Sequence, residues 1–218
     1  MKKNISLVLL LITGSLAFNP KSILAAGAKR YPNNQELQTI KKALHKEMLT
    51  LPTQNTFGRS YFQDQRKVKD KKAINSFRTA WSKVSPEIAP FIGDWSGYEE
   101  FLSIYPSKVK NRVCIILDGL DPGGWKTQFS LGSVVNGSIF ARGAAGYQVF
   151  IKEKNVLGRV QVLDNKVQLT HGMPYAFPTL LENLQTLLSG HNSREKSERI
   201  KQFNAASCTK NLPIHTIK

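Results

Sequence analysis

The chain has 218 residues, 41% of them hydrophobic and 21% charged, a mixture that supports a packed domain and excludes wholesale disorder. With 31 Lys and Arg against 15 Asp and Glu, its net charge is +16, so anionic partners fit it better than basic ones. Four scattered histidines with no His-x-x-x-His pair, and no nucleophile elbow or phosphate loop, leave metal, hydrolase and nucleotide chemistry without a motif, and no cofactor is expected.

The first element is a leader. Lys2-Lys3 precede an apolar run from Ile5 to Phe18, and Ala26-Gly27-Ala28 offers a small-x-small cleavage point after Ala28. The run is shorter than the ~20 residues that span a bilayer, so a cleaved signal peptide over residues 1–28 is expected, with no transmembrane anchor after cleavage. The protein is then periplasmic or secreted. The remaining chain keeps 28 basic and 15 acidic residues, a net of +13, and fits one domain of ordinary size.

Residues 29–90 read as a basic helical segment with 13 basic and 5 acidic residues. Leu37, Ile40, Leu44 and Met48 form one helical stripe behind Asn33-Asn34, and Pro52 closes it. Ile74, Phe77, Trp81 and Val84 form a second, closed by Ser85-Pro86. The turns before it carry Arg66, Lys67, Lys69, Lys71 and Lys72, a patch suited to an anionic envelope polymer or lipid; outside the cytoplasm nucleic acid ranks last.

Residues 91–190 change to the period of strands. Apolar runs cover Tyr98 to Tyr105 and Arg112 to Asp118, and Trp125 to Leu131 alternates as a half-exposed strand does. Asn136-Gly137 and Asp164-Asn165 mark tight hairpins, and Tyr147, Val149 and Ile151 alternate between them. About seven short strands in a row predict an antiparallel β-meander or small closed β-barrel, because open edges invite aggregation. Thr179 to Leu188 reads as a C-terminal helix, stopped by Gly190. Residues 191–218 read as a polar tail. Cys114 lies in a strand and Cys208 in that tail, and an even count in an exported chain favours one disulfide tethering the tail.

Gly93-Asp94-Trp95 at the start of the strand region, with the helix after the last strand and the tethered tail, resembles the calycins, the lipocalins and their relatives. The resemblance implies a closed barrel with Trp95 plugging one end and a small apolar ligand taken at the other. Tyr105-Pro106 is similar to a pair found in haem-binding small barrels.

The fold class expected is therefore α+β. The favoured function is non-catalytic binding of a small apolar or amphipathic molecule in the barrel, or of an anionic envelope surface by the basic arm. Aromatic and cationic residues of the strand region supply the ligand-site candidates: Trp95, Tyr98, Tyr105, Arg112, Trp125, Arg142, Tyr147 and His171. The alternatives are a small-barrel hydrolase or isomerase using His171 with Asp118 or Asp121, and a structural or partner-binding envelope protein. Glu99-Glu100, adjacent on a strand, point to opposite faces and so do not make a carboxylate pair.

Overall fold

A computed structural model describes residues 29–54, 62–97, 100–121, 124–143, 146–170 and 174–213. The expected leader, residues 1–28, together with Tyr98 and His171 and the side chains of Asp121 and Trp125, lies outside the described residues.

The first helix, α1 (Asn34–Gln54), starts on a reciprocal cap. Asn33 Oδ1 accepts from the Glu36 amide at 2.9 Å while Glu36 accepts from the Asn33 amide at 2.7 Å, satisfying two orphan donors of the first turn. Arg30 donates two hydrogen bonds of 2.7 Å to the same carboxylate and, with the Asn33 amide, holds it down to about 2. The helix runs two residues past Pro52, the residue expected to close it. The second helix, α2 (Val68–Ser82), buries Ile74, Phe77 and Trp81 as its stripe predicts. Val84, the next member of that stripe, follows the last helical residue and is exposed.

Nine strands follow: β1 (Gly93–Ser96), β2 (Glu100–Pro106), β3 (Arg112–Asp121), β4 (Gly124–Val135), β5 (Ser138–Gly143), β6 (Gly146–Glu153), β7 (Val156–Leu163), β8 (Lys166–Leu169) and β9 (Tyr175–Thr179). Strands β1 to β7 pair in sequence, and β9 inserts between β1 and β7. Eight strands thus form a closed antiparallel barrel, with β8 as an extra strand paired to the far end of β7. The tight turns fall where the sequence puts them: Asn136, Gly137, Asp164 and Asn165 all have positive φ, as such hairpins require. Closure is uneven. Among the described residues β7 meets β9 through two ladder pairs, Val156–Ala176 and Leu157–Tyr175.

The two closing strands are the ones the apolar pattern does not reveal. β1 is four residues with one large apolar side chain, and β9 contains Pro178 and Phe177 at φ 41°. The run expected to be helical from Thr179 starts as the end of β9 and forms a single turn, α3 (Leu184–Leu187). The expected polar tail holds a 13-residue helix, α4 (Ser193–Ala205), capped by Asn192 Oδ1 on the Glu195 amide at 2.9 Å. Its apolar face is little more than Ile200 and Phe203, too few to register as a stripe.

Two cores result. One runs from α2 through the barrel interior to the far wall, where Cys114, Tyr105, Phe203 and Leu188 pack beneath α4. The other seats Leu37 and Leu44 of α1 on the outer faces of Val149, Ile151, Val156 and Val160. The short 3-10 turn Ala89–Phe91 leads into β1 and stops the barrel with Ile88, Phe91, Ile92 and Trp95, all buried. Trp95 Nε1 donates to the Phe91 carbonyl at 2.7 Å, and the Arg78 guanidinium of α2 lies 5.2 Å from the Trp95 ring centre. Burial holds Arg78 down to about 10.

Candidate functional site

Strand alternation and pairing sort the barrel side chains into two faces. Ile104, Ile115, Val134, Ile139, Phe150 and Leu157 point inward at the plugged end and are all buried. Packing there is tight: a Cβ on Gly132 would stand 2.5 Å from Ile139 Cγ2 and 3.1 Å from Val113. That half of the interior is filled by the protein itself.

The opposite half is polar. Its inward positions are Glu100 on β2, Gln128 and Ser130 on β4, Gln148 on β6, Arg159 and Gln161 on β7, and Tyr175 on β9. Arg159 Nη2 donates to Glu100 Oε1 at 3.0 Å, and the Tyr175 hydroxyl donates to Glu100 Oε2 in a short bond. β2 and β7 are not neighbours in the sheet, so this bond crosses the interior. Glycines make room for it: a Cβ on Gly97 would lie 2.7 Å from the Tyr175 ring, and one on Gly119 3.0 Å from Glu100 Cγ.

Part of this layer is unsatisfied. Arg159 Nε has no hydrogen-bond partner, and neither do Gln128 Oε1 and Gln148 Oε1, although Arg159 is 5% exposed and Gln148 2%. Each such buried group costs roughly 1–3 kcal/mol unless something fills the gap. A barrel needing only a core would have apolar residues here, as its other half does. Sequence reasoning misses this layer because Glu100, Gln148, Arg159 and Gln161 stand in stretches that read as ordinary alternation.

Among the described residues, the ligand-site side chains expected from sequence do not converge. Trp95 is the plug. Tyr105 faces outward beneath α4, its ring 5.0 Å from Phe203 and its hydroxyl donating to the Glu182 carbonyl at 3.2 Å. Burial, with Asp94 nearby, pushes its phenol upward. Arg142 and Tyr147 pair across β5 and β6 on the outer wall, the guanidinium 4.9 Å from the ring, and Tyr31 packs edge-on against Tyr147 at 4.7 Å. Arg112 pairs with Ser133 at the plugged end, on the outward face. Trp125 pairs with Leu120 where β3 and β4 meet at the polar end.

Asp118 is engaged on the outer wall. It accepts from the Thr127 hydroxyl at 3.0 Å, and Thr127 Oγ1 lies 2.7 Å from His191 Nε2. Thr127 has one hydroxyl proton; with it on Asp118, His191 Nε2 must be the donor toward Thr127. A general base needs the opposite polarity, and Thr127 is buried besides. Glu195 at 3.7 Å from His191 Nδ1, and Arg199 donating to the Thr127 carbonyl at 2.9 Å, make the cluster a clasp between α4 and β4. Among the described residues no group of His, Cys, Asp and Glu is arranged to hold a metal ion.

The basic patch is partly spent on the fold. Arg66 donates twice to Asp64 at 2.9 Å and again to the Pro178 carbonyl, and its guanidinium lies 5.6 Å from the Phe177 ring centre. Lys71 sits 3.2 Å from the same Asp64, whose carboxyl Arg66 holds well below its usual range. Lys67, Lys69 and Lys72 stay exposed. Cys114 and Cys208 form a disulfide with Cα atoms 6.1 Å apart, and the Ser107–Cys208 bridge lays the following segment along the end of β2. No protein family, curated protein or solved structure matches this chain.

Proposed function

We propose that this protein is a non-catalytic binder of a small amphipathic molecule, held by its polar head in the unplugged half of the barrel. The observation that carries this is the unsatisfied layer: one buried guanidinium N–H without an acceptor and two buried amide oxygens without donors. A head group that both accepts and donates, such as a hydroxyl, carboxylic acid or amide, has the chemistry to pair with groups of both kinds. Binding sites of this kind combine apolar walls with a few convergent polar groups. A wholly apolar ligand would leave those groups unpaired, and the plugged half is filled, so the head-group layer is where a ligand gains most. The leader pattern and the disulfide support export to an oxidising compartment, where such a binder meets envelope or external molecules.

Native mass spectrometry of the protein purified gently from its exporting host tests this. The expected spectrum carries a mass above the polypeptide, and Arg159→Met removes it. A bare polypeptide from the native protein, after incubation with a lipid extract of the host as well, would count against the reading.

A further inference from the structure

The outer surface carries a second site, independent of the barrel interior. Between the end of α2 and the segment Thr209–Pro213 lies a cleft of about 490 Å³. Trp81, Val84, Leu212 and Pro213 give it an apolar wall, and Lys108, Lys110 and Ser85 line it as well. The tail is held in place there by Trp81 Nε1, which donates to the Asn211 carbonyl at 3.2 Å.

Two observations point to a ligand. The Ser85 hydroxyl has no hydrogen-bond partner although the residue is only 5% exposed, whereas Ser107 beside it already donates to the Ala206 carbonyl. Val84 and Leu212, 43% and 59% exposed, leave apolar surface uncovered directly beside two lysines, and among the described residues no carboxylate lines the cleft. A trough of about 540 Å³ shares Asn211 and Leu212 with it and continues the apolar surface along Ala73 and Ala80 to Leu180, with Lys210 on its rim.

We infer that this cleft takes one acyl chain of an anionic lipid at a bilayer surface, its head group on Lys108, Lys110 and the Ser85 hydroxyl. The chemistry is complementary at both ends: the lysines and the hydroxyl supply donors to the anionic oxygens, and Trp81, Val84 and Leu212 cover methylenes. A Lys near an anionic surface contributes roughly 1 kcal/mol, a factor of about five in partitioning. The exposed lysines of the N-terminal arm add long-range attraction without chain contact.

Sedimentation with phosphatidylcholine vesicles, with and without phosphatidylglycerol, tests it on the full chain expressed with its leader, the N-terminus of each sample being read by mass. Binding is expected only with phosphatidylglycerol. Lys108→Glu with Lys110→Glu should weaken it more than about 25-fold, two lysines' worth. Val84→Asn with Leu212→Asn leaves the charge unchanged and should weaken it about tenfold or more, the worth of a few buried methylenes. All four positions are exposed, so the fold persists, and unchanged urea midpoints verify that. The inference is overturned if the native protein ignores phosphatidylglycerol, or if the uncharged pair binds as the native chain does. It also fails if only Lys67→Glu, Lys69→Glu and Lys72→Glu together abolish binding.

Discussion

Replacing the buried polar layer by apolar residues should separate its role in binding from its role in stability. Arg159→Met alone removes the guanidinium from a carboxylate that is itself almost wholly buried. Breaking a buried pair in this way costs about 3–5 kcal/mol, because one charge is left uncompensated. Glu100→Leu, Arg159→Met and Tyr175→Phe together remove the charge, its cation and the hydroxyl that donates to it. The Arg159–Glu100 and Tyr175–Glu100 bonds then go together with all three of their partners, and one pre-existing orphan, Arg159 Nε, disappears. Apolar replacement of such sets is commonly neutral or stabilising by about 1–4 kcal/mol. Urea unfolding followed by tryptophan fluorescence should therefore place the single variant well below the native midpoint and the triple variant at or above it. Native mass spectrometry should show both without ligand. If the triple variant is as unstable as the single one, the layer is a structural part of the barrel and the binding argument built on it is wrong.

Asp94 gives a pH test. It faces outward against Glu182, whose amide donates to it at 2.7 Å, and burial raises its carboxyl from 3.8 to about 6. Since the folded value lies above the unfolded one, the stabilising contribution is full below pH 3.8 and is lost as pH rises through 6. Asp94→Asn should thus gain up to about 3 kcal/mol over the native chain at pH 8 and almost nothing at pH 4; an equal gain at both pH values refutes the assignment. Cys114→Ala with Cys208→Ala opens a loop spanning 94 residues, and chain entropy puts the loss near 4–5 kcal/mol. Hydrogen exchange should show α4 losing protection before the barrel strands do. Gly132→Ala should cost about 1–3 kcal/mol by overpacking against Ile139 Cγ2, and Ile139→Leu in the same chain, which removes that methyl, should recover part of it.

The elements legible in the sequence are those with a strong local pattern. The stripes of α1 and α2, the Asn136-Gly137 and Asp164-Asn165 turns and the alternating strands between them need only nearest-neighbour physics to appear. β1, β9 and α4 are held by tertiary contacts: β1 is marked by Gly93-Asp94-Trp95 alone, without apolar alternation, and little in Tyr175–Thr179 marks a strand apart from the barrel it closes. The same limit applies to the site. Aromatic and cationic residues stand out in a sequence, yet Tyr105, Arg142 and Tyr147 face outward, while the inward polar layer is assembled from five strands spread between residues 100 and 175. One or two polar residues per strand look like ordinary alternation; only closure brings them together.

The two-residue seam between β7 and β9 bears on the order of events as the chain emerges. Strands β1 to β7 pair with their sequence neighbours and can zip up progressively into a curled sheet, a low-entropy route because each step closes a short loop. Ring closure waits for β9, whose register partner for Asp94 is Thr179. Until then β1 and β7 are open edges, capable of pairing with another chain. Cys114 is already in place on β3 during this interval, but its partner lies beyond β9 and α4. Under oxidising conditions, a Cys114 thiol exposed while its partner is still being delivered has only another molecule's thiol to meet. The late strand and the late cysteine therefore set one shared window in which crowding of nascent chains converts to cross-linked dimers, and slower delivery of the C-terminal third widens it.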